Sequence, residues 1–137
     1  MKTVTELTHH DAQKIIHAIQ TQLEQQGKGA AIAVVDAHGE LIAFLRTEGC
    51  PLPSITIAMN KAFTAARQRQ PSYDVGQDSR MKDWPLTNFG DPRYVGWGGG
   101  MPIYAEGSVI GAVGVSGLPE DEDIVLATIG VAVLNDR

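Results

Sequence analysis

Residues 30–45 read AAIAVVDAHGELIAFL. Two apolar runs, 30–35 and 41–45, flank the turn Asp36-Ala37-His38-Gly39-Glu40. An aspartate opens such a turn by bonding its own backbone, and a glycine accepts the positive φ that follows. The stretch therefore predicts an antiparallel β-hairpin. Ala30, Ala31 and Ala33 keep its first strand thin, so that a helix can approach closely.

The segment before the hairpin has helical spacing. Ala12, Ile15, Ile16, Ile19 and Leu23 recur at three- and four-residue intervals. Thr8 and Asp11 are placed as a capping box with Asp in the place of Glu, and Gly27 and Gly29 supply the stop. A helix is predicted over 9–26. After the hairpin, 47–53 is a loop punctuated by Gly49, Pro51 and Pro53. Ser54 is then expected to cap a helix over 54–68, with Ile55, Ala58, Met59, Ala62, Phe63 and Ala66 on one face and Pro71 as its breaker. Ser72 is expected to cap a short third helix over 73–82, and 83–100 is expected to be irregular.

A second hairpin, 102–105 with 109–116, turns at Glu106-Gly107. Gly111, Ala112, Gly114 and Ser116 leave its second strand small enough for close packing. Glu120, Asp121, Glu122 and Asp123 stand in the first turn of a final helix, where carboxylates meet free N–H groups and the positive dipole end. The order α-β-β-α-(α)-β-β-α gives an α/β fold of the α+β type, an antiparallel sheet with helices packed on it. Residues 1–137 are expected to form one domain.

From Ile124 to Leu134 every residue is apolar except Thr128 and Gly130. A surface helix of a monomer carries a polar face, and this one does not. A homo-oligomer that buries the helix against a partner subunit is expected.

The net charge is −5. Nucleic-acid binders show a basic excess, so none is expected as a partner. No apolar run reaches the length of a membrane span. A single cysteine, Cys50, and a start with no apolar leader core point to a cytoplasmic protein outside the disulfide-rich class.

Candidate chemistry lies in two places. His10 and His17 fall on the face of the first helix opposite its apolar stripe, about 10.5 Å apart along the axis, too far to share one metal ion. His17 is the candidate ligand for a haem iron held at the surface or between subunits; otherwise both are solvated helix residues. Residues 61–93 are locally basic, and Tyr73, Trp84, Phe89, Tyr94, Trp97 and Tyr104 supply six of the eight aromatic side chains. These rings, with Arg67, Arg69, Arg80 and Arg93 nearby in sequence, form the candidate wall for a flat anionic ligand, haem or another, through arginine–carboxylate pairing and ring stacking, and Arg67, Arg80, Trp84, Tyr94 and Trp97 are its leading candidate residues. The alternative is that these rings pack the irregular loop onto the sheet. Gly98-Gly99-Gly100 leads into a strand and lacks the Lys-Ser/Thr tail of a P-loop, so close backbone packing is the better reading. No nucleophile–base–acid constellation is legible, and Ser116 lacks the Gly-x-Ser-x-Gly spacing.

Ala31-Ile32-Ala33-Val34-Val35-Asp36-Ala37-His38-Gly39, the block 54–66 (SITIAMNKAFTAA), Gly99-Gly100-Met101-Pro102-Ile103 and Gly111-Ala112-Val113-Gly114-Val115-Ser116-Gly117 together resemble the GlcG/HbpS-like haem-binding family over nearly the whole chain. The resemblance implies a profilin-like fold, a multi-subunit assembly that is often an octamer, and haem as cofactor, with roles in haem degradation or redox-linked sensing. It also implies a setting beside glycolate oxidation or diol and glycerol utilisation. Three readings follow: a haem-binding accessory protein, an oligomeric small-ligand module without haem, and a haem-degrading enzyme.

Overall fold

The computed structural model describes residues 1–135. The chain runs α1 (His9–Gln26), β1 (Ala31–Asp36), β2 (Leu41–Arg46), α2 (Ser54–Gln68), α3 (Ser72–Met81), a 3₁₀ turn (Leu86–Phe89), β3 (Gly100–Ala105), β4 (Ser108–Ser116) and α4 (Glu120–Asn135). The four strands form one antiparallel sheet in the order β2-β1-β4-β3.

Strand alternation assigns the two faces. Ile32, Val34, Ile103, Val113 and Val115 are buried with Ile15, Ile19, Leu23 and Leu126, so α1 and α4 cover one face. Ala31, Ala33, Val35 and Ala112 are buried with Ala58, Ala62, Ala65 and Ala66, so α2 covers the other. The first face is built of large branched side chains, each contributing about 1.5–3 kcal/mol by leaving water. The second is built of small ones, and closeness replaces bulk. A Cβ on Gly114 would lie 2.1 Å from the Ala58 carbonyl oxygen, so β4 and α2 are in direct backbone contact.

The first helix starts as its sequence predicts. The Thr8 hydroxyl accepts from the Asp11 amide, and the Asp11 carboxylate accepts from the Thr8 amide. The other two expected caps are not caps. Pro53 and Pro71 occupy those positions, and Ser54 and Ser72 are the first helical residues. The Ser72 hydroxyl instead donates to the Trp97 carbonyl at 2.6 Å and accepts from the Gly100 amide at 2.9 Å, joining α3 to the start of β3. The irregular stretch contains a short 3₁₀ turn. At the second hairpin Glu106 and Gly107 both take positive φ, 54° and 80°, the pattern of a tight two-residue turn.

Asp121, Val125, Thr128 and Ala132, spaced four, three and four residues apart, stay exposed along α4. Val125 keeps 58% of its surface. The chain by itself therefore leaves one stripe of this apolar helix uncovered. No helix among the described residues is long and apolar enough to cross a membrane.

Candidate functional site

The sequence-selected residues divide between the two outer layers. His17 is exposed on α1, in the layer beneath the Ile32/Val34 face. Its imidazole makes no hydrogen bond or ion pair among the described residues, and beyond the helix ladder its backbone carbonyl accepts from the Thr21 hydroxyl at 2.9 Å. His10 is exposed as well and lies ring to ring with His9 at 4.1 Å. The surroundings of His17 on the helix surface, with Gln13 and Lys14 exposed beside it, are polar.

Arg67, Tyr94 and Trp84 lie in the other layer, with α2 and α3. They are joined through two rings, Phe89 of the same aromatic cluster and Phe63, which the sequence marks only as an apolar face residue of α2. Trp84 meets Phe89 edge-on at 4.9 Å, Phe89 stacks on Tyr94 at 4.1 Å and 10°, and Tyr94 meets Phe63 edge-on at 5.3 Å. Two guanidiniums close the far end of this ladder, Arg93 at 3.9 Å and Arg67 at 4.9 Å from the Phe63 ring centre. Arg67 is anchored by donation to the His38 carbonyl at 2.6 Å, and Arg69 donates to the Ala37 carbonyl at 2.6 Å. Both side chains therefore buttress the first hairpin turn. Arg93 grips Asp91 with a 2.8 Å bond from its terminal nitrogen, and this holds the Asp91 carboxyl down at about 2.

Trp97 and Arg80 stand outside the ladder. Trp97 is 60% exposed and its carbonyl is taken by Ser72. Arg80 is exposed near the end of α3 with no ion pair among the described residues. The six residues thus do not form one site in one subunit. The sheet stands between His17 and the Arg67–Trp84 ladder, while Trp97 lies just before β3, next to Gly98, whose amide donates to Glu120 of α4.

A cleft of about 420 Å³ opens at the Trp84 end of the ladder, between the end of α2, α3 and the 3₁₀ turn. The triple glycine is not an anion cradle. The Gly98 amide donates to Glu120 at 2.7 Å and the Gly100 amide to Ser72, while a Cβ on Gly100 would lie 2.2 Å from the Lys61 carbonyl oxygen. Close packing explains these glycines.

Sequence reasoning missed one buried group. Lys61 points inward from α2 and donates to Asp123 at 3.1 Å and to the Val115 carbonyl at 2.9 Å. Its position three residues after Ala58 and one before Ala62, on the apolar stripe, is the signal that could have revealed it. Burial pushes the Asp123 carboxyl above the usual carboxylate range, against the pull of Lys61. Burial likewise raises the Cys50 thiol, which opposes a thiolate nucleophile there. Among the described residues no three His, Cys, Asp or Glu side chains converge to hold a metal ion.

The profile of a family described as haem degrading protein HbpS-like matches residues 7–132. Protein GlcG of Escherichia coli K12 is 34% identical over 116 residues, covering 85% of each chain. A crystal structure of a Streptomyces reticuli HbpS double mutant is 31% identical with a TM-score of 0.88, covering 98% of this chain and 90% of its own. The crystal structure of a PduOC:haem complex is 25% identical, also with a TM-score of 0.88, and covers 96% of both chains.

Proposed function

Because the chain belongs to the haem degrading protein HbpS-like family, we propose that it is an oligomeric haem-binding accessory protein in which His17 ligates the iron. The observation that carries the reading is an exposed imidazole with no competing partner, in a chain similar over 96% of its length to a protein whose structure is a haem complex. A neutral, unengaged imidazole is an ordinary axial donor to haem iron.

The residues fit the iron better than they fit the porphyrin. One subunit offers no apolar wall around His17. The exposed α4 stripe belongs to the same outer layer, since α1 and α4 pack side by side at Gly130, where a Cβ would lie 2.6 Å from Ile19 Cδ1. A second copy docked on this layer covers the stripe and encloses a porphyrin beside His17. Arg67, Trp84 and Tyr94, beyond the sheet from His17, reach that porphyrin only from a neighbouring subunit. Bound haem would supply axial ligand exchange and one-electron chemistry at the iron; the chain's part is to hold the iron, orient the ring and exclude water.

The test is a haemin titration followed by absorbance, with the mass of the assembly measured before and after. The expected result is saturation at a fixed ratio per subunit and a Soret band that shifts in His17→Ala. Binding no tighter than that of an unrelated protein would overturn the haem reading, and an unchanged Soret band in His17→Ala would overturn the ligand assignment. With ascorbate added, an accessory protein leaves haem absorbance decaying at the protein-free rate. Faster decay would make it a haem-degrading catalyst.

A further inference from the structure

The cleft beside Trp84 is also bordered by two charged side chains, Asp78 and Lys82, that the haem reading does not use. Its volume, about 420 Å³, lies in the range of small-molecule sites. Its walls are fixed in advance. The Trp84 amide donates to the Ser79 carbonyl at 2.9 Å, and the Ser79 hydroxyl donates to the Trp84 carbonyl at 2.7 Å. The indole is then braced edge-on by Phe89, itself stacked on Tyr94. Behind the cleft, α3 is clamped against the 96 segment, because a Cβ on Gly76 would lie 1.9 Å from the Gly96 carbonyl oxygen.

Two charges of opposite sign border the same recess. Asp78 and Lys82 are four residues apart on and just past α3, a spacing at which such side chains ordinarily pair. Here neither makes an ion pair or a side-chain hydrogen bond among the described residues. An anionic ligand would meet Asp78 unfavourably, and a cationic one Lys82. A dipolar ion satisfies both, and an apolar ring or branch fits against Trp84, Phe89 and Val75.

We infer that this cleft binds a zwitterionic α-amino acid with an aromatic or large apolar side chain, its ammonium group at Asp78, its carboxylate at Lys82 and its side chain against Trp84. The site lies on the opposite side of the sheet from His17 and does not rest on the haem reading.

The experiment uses Trp97→Phe, which leaves Trp84 as the only indole. Phenylalanine, phenethylamine and 3-phenylpropionate are titrated while Trp84 emission is followed, with calorimetry on the unaltered chain as the second readout. Phenylalanine is expected to saturate at about the millimolar level or tighter, at least about threefold better than either singly charged analogue. Asp78→Asn removes its advantage over phenylpropionate, and Lys82→Met its advantage over phenethylamine, with circular dichroism unchanged in both. His17→Ala leaves the titration as it was. No saturation up to about 10 mM, or equal binding of all three compounds, overturns the proposal.

Discussion

Lys61 Nζ lies 3.1 Å from Asp123 Oδ2, and each side chain keeps only 3% of its surface. The pair crosses the end of the sheet and fastens α2 to the first turn of α4. Asp123 also accepts from the Leu118 amide at 3.1 Å, and Lys61 from its side donates to the Val115 carbonyl, so both charges have further hydrogen-bond partners. Removing one member leaves the other buried without its counter-charge, which costs about 3–5 kcal/mol. Lys61→Met is therefore expected to lower the urea midpoint sharply. Lys61→Met combined with Asp123→Asn, which retains an acceptor for Leu118, is expected to recover part of the loss. If the double variant is no more stable than the sum of the single effects predicts, the two side chains are not energetically coupled.

The Arg93–Asp91 pair is a surface counterpart with a pH signature. The folded carboxyl titrates at about 2, below its ordinary 3.8, because the guanidinium donates to it. Between those values the unfolded chain binds more protons. The pair's stabilisation is thus complete above about pH 4 and is lost as the pH falls toward 2. Arg93→Met is expected to return the Asp91 titration, followed by carboxyl-carbon NMR, to near its ordinary value. A titration that stays near 2 would show that Arg93 is not the cause.

Two glycines separate packing from backbone strain. Gly76 is buried, and an added Cβ would meet the Gly96 carbonyl oxygen at 1.9 Å, with no flexible side chain to give way. Gly76→Ala is expected to cost about 1–3 kcal/mol or more by overpacking, and to displace α3. Gly27 has φ +64° and nothing within 4 Å of an added Cβ. Gly27→Ala is expected to cost about 1 kcal/mol through left-handed strain alone. Thermal unfolding of the two variants gives the comparison, and a Gly27→Ala loss equal to that of Gly76→Ala would contradict the packing explanation.

The helices and hairpins were legible because their signals are local. Apolar spacing, the Thr8–Asp11 box and the Asp36–Gly39 turn each act within a few residues. Ser54 and Ser72 misled because a proline precedes each. The prolines took the cap positions, and the hydroxyl of Ser72 went to a partner 25 residues away. The candidate site divided for a related reason. His17 and Arg67 are both outward-facing helix residues, and nothing in their own neighbourhoods says which side of the sheet each helix will cover. That depends on the alternation of Ala31 and Ala33 against Ile32 and Val34, whose small and large sides select α2 and α1. Phe89 stood in the legible cluster, five residues from both Trp84 and Tyr94, whereas the part of Phe63 in the ladder was missed because its ring partner Tyr94 is distant in sequence.

Val125 tests the assembly. It stands 58% exposed in α4, between Asp121 and Thr128 on the uncovered stripe. A charge placed there leaves the isolated subunit intact and is incompatible with burial against a second copy. Val125→Glu is expected to keep the far-ultraviolet circular dichroism of the unaltered chain while lowering its mass by light scattering to that of a smaller assembly. The same substitution is expected to weaken haemin binding, because in the proposed assembly the second copy that would cover this layer would also enclose the porphyrin beside His17. Reduced mass with unchanged haemin affinity would mean that a single subunit holds the ring. Unchanged mass would remove α4 as the interface, and the reason for its apolar outer face would then lie elsewhere than self-association.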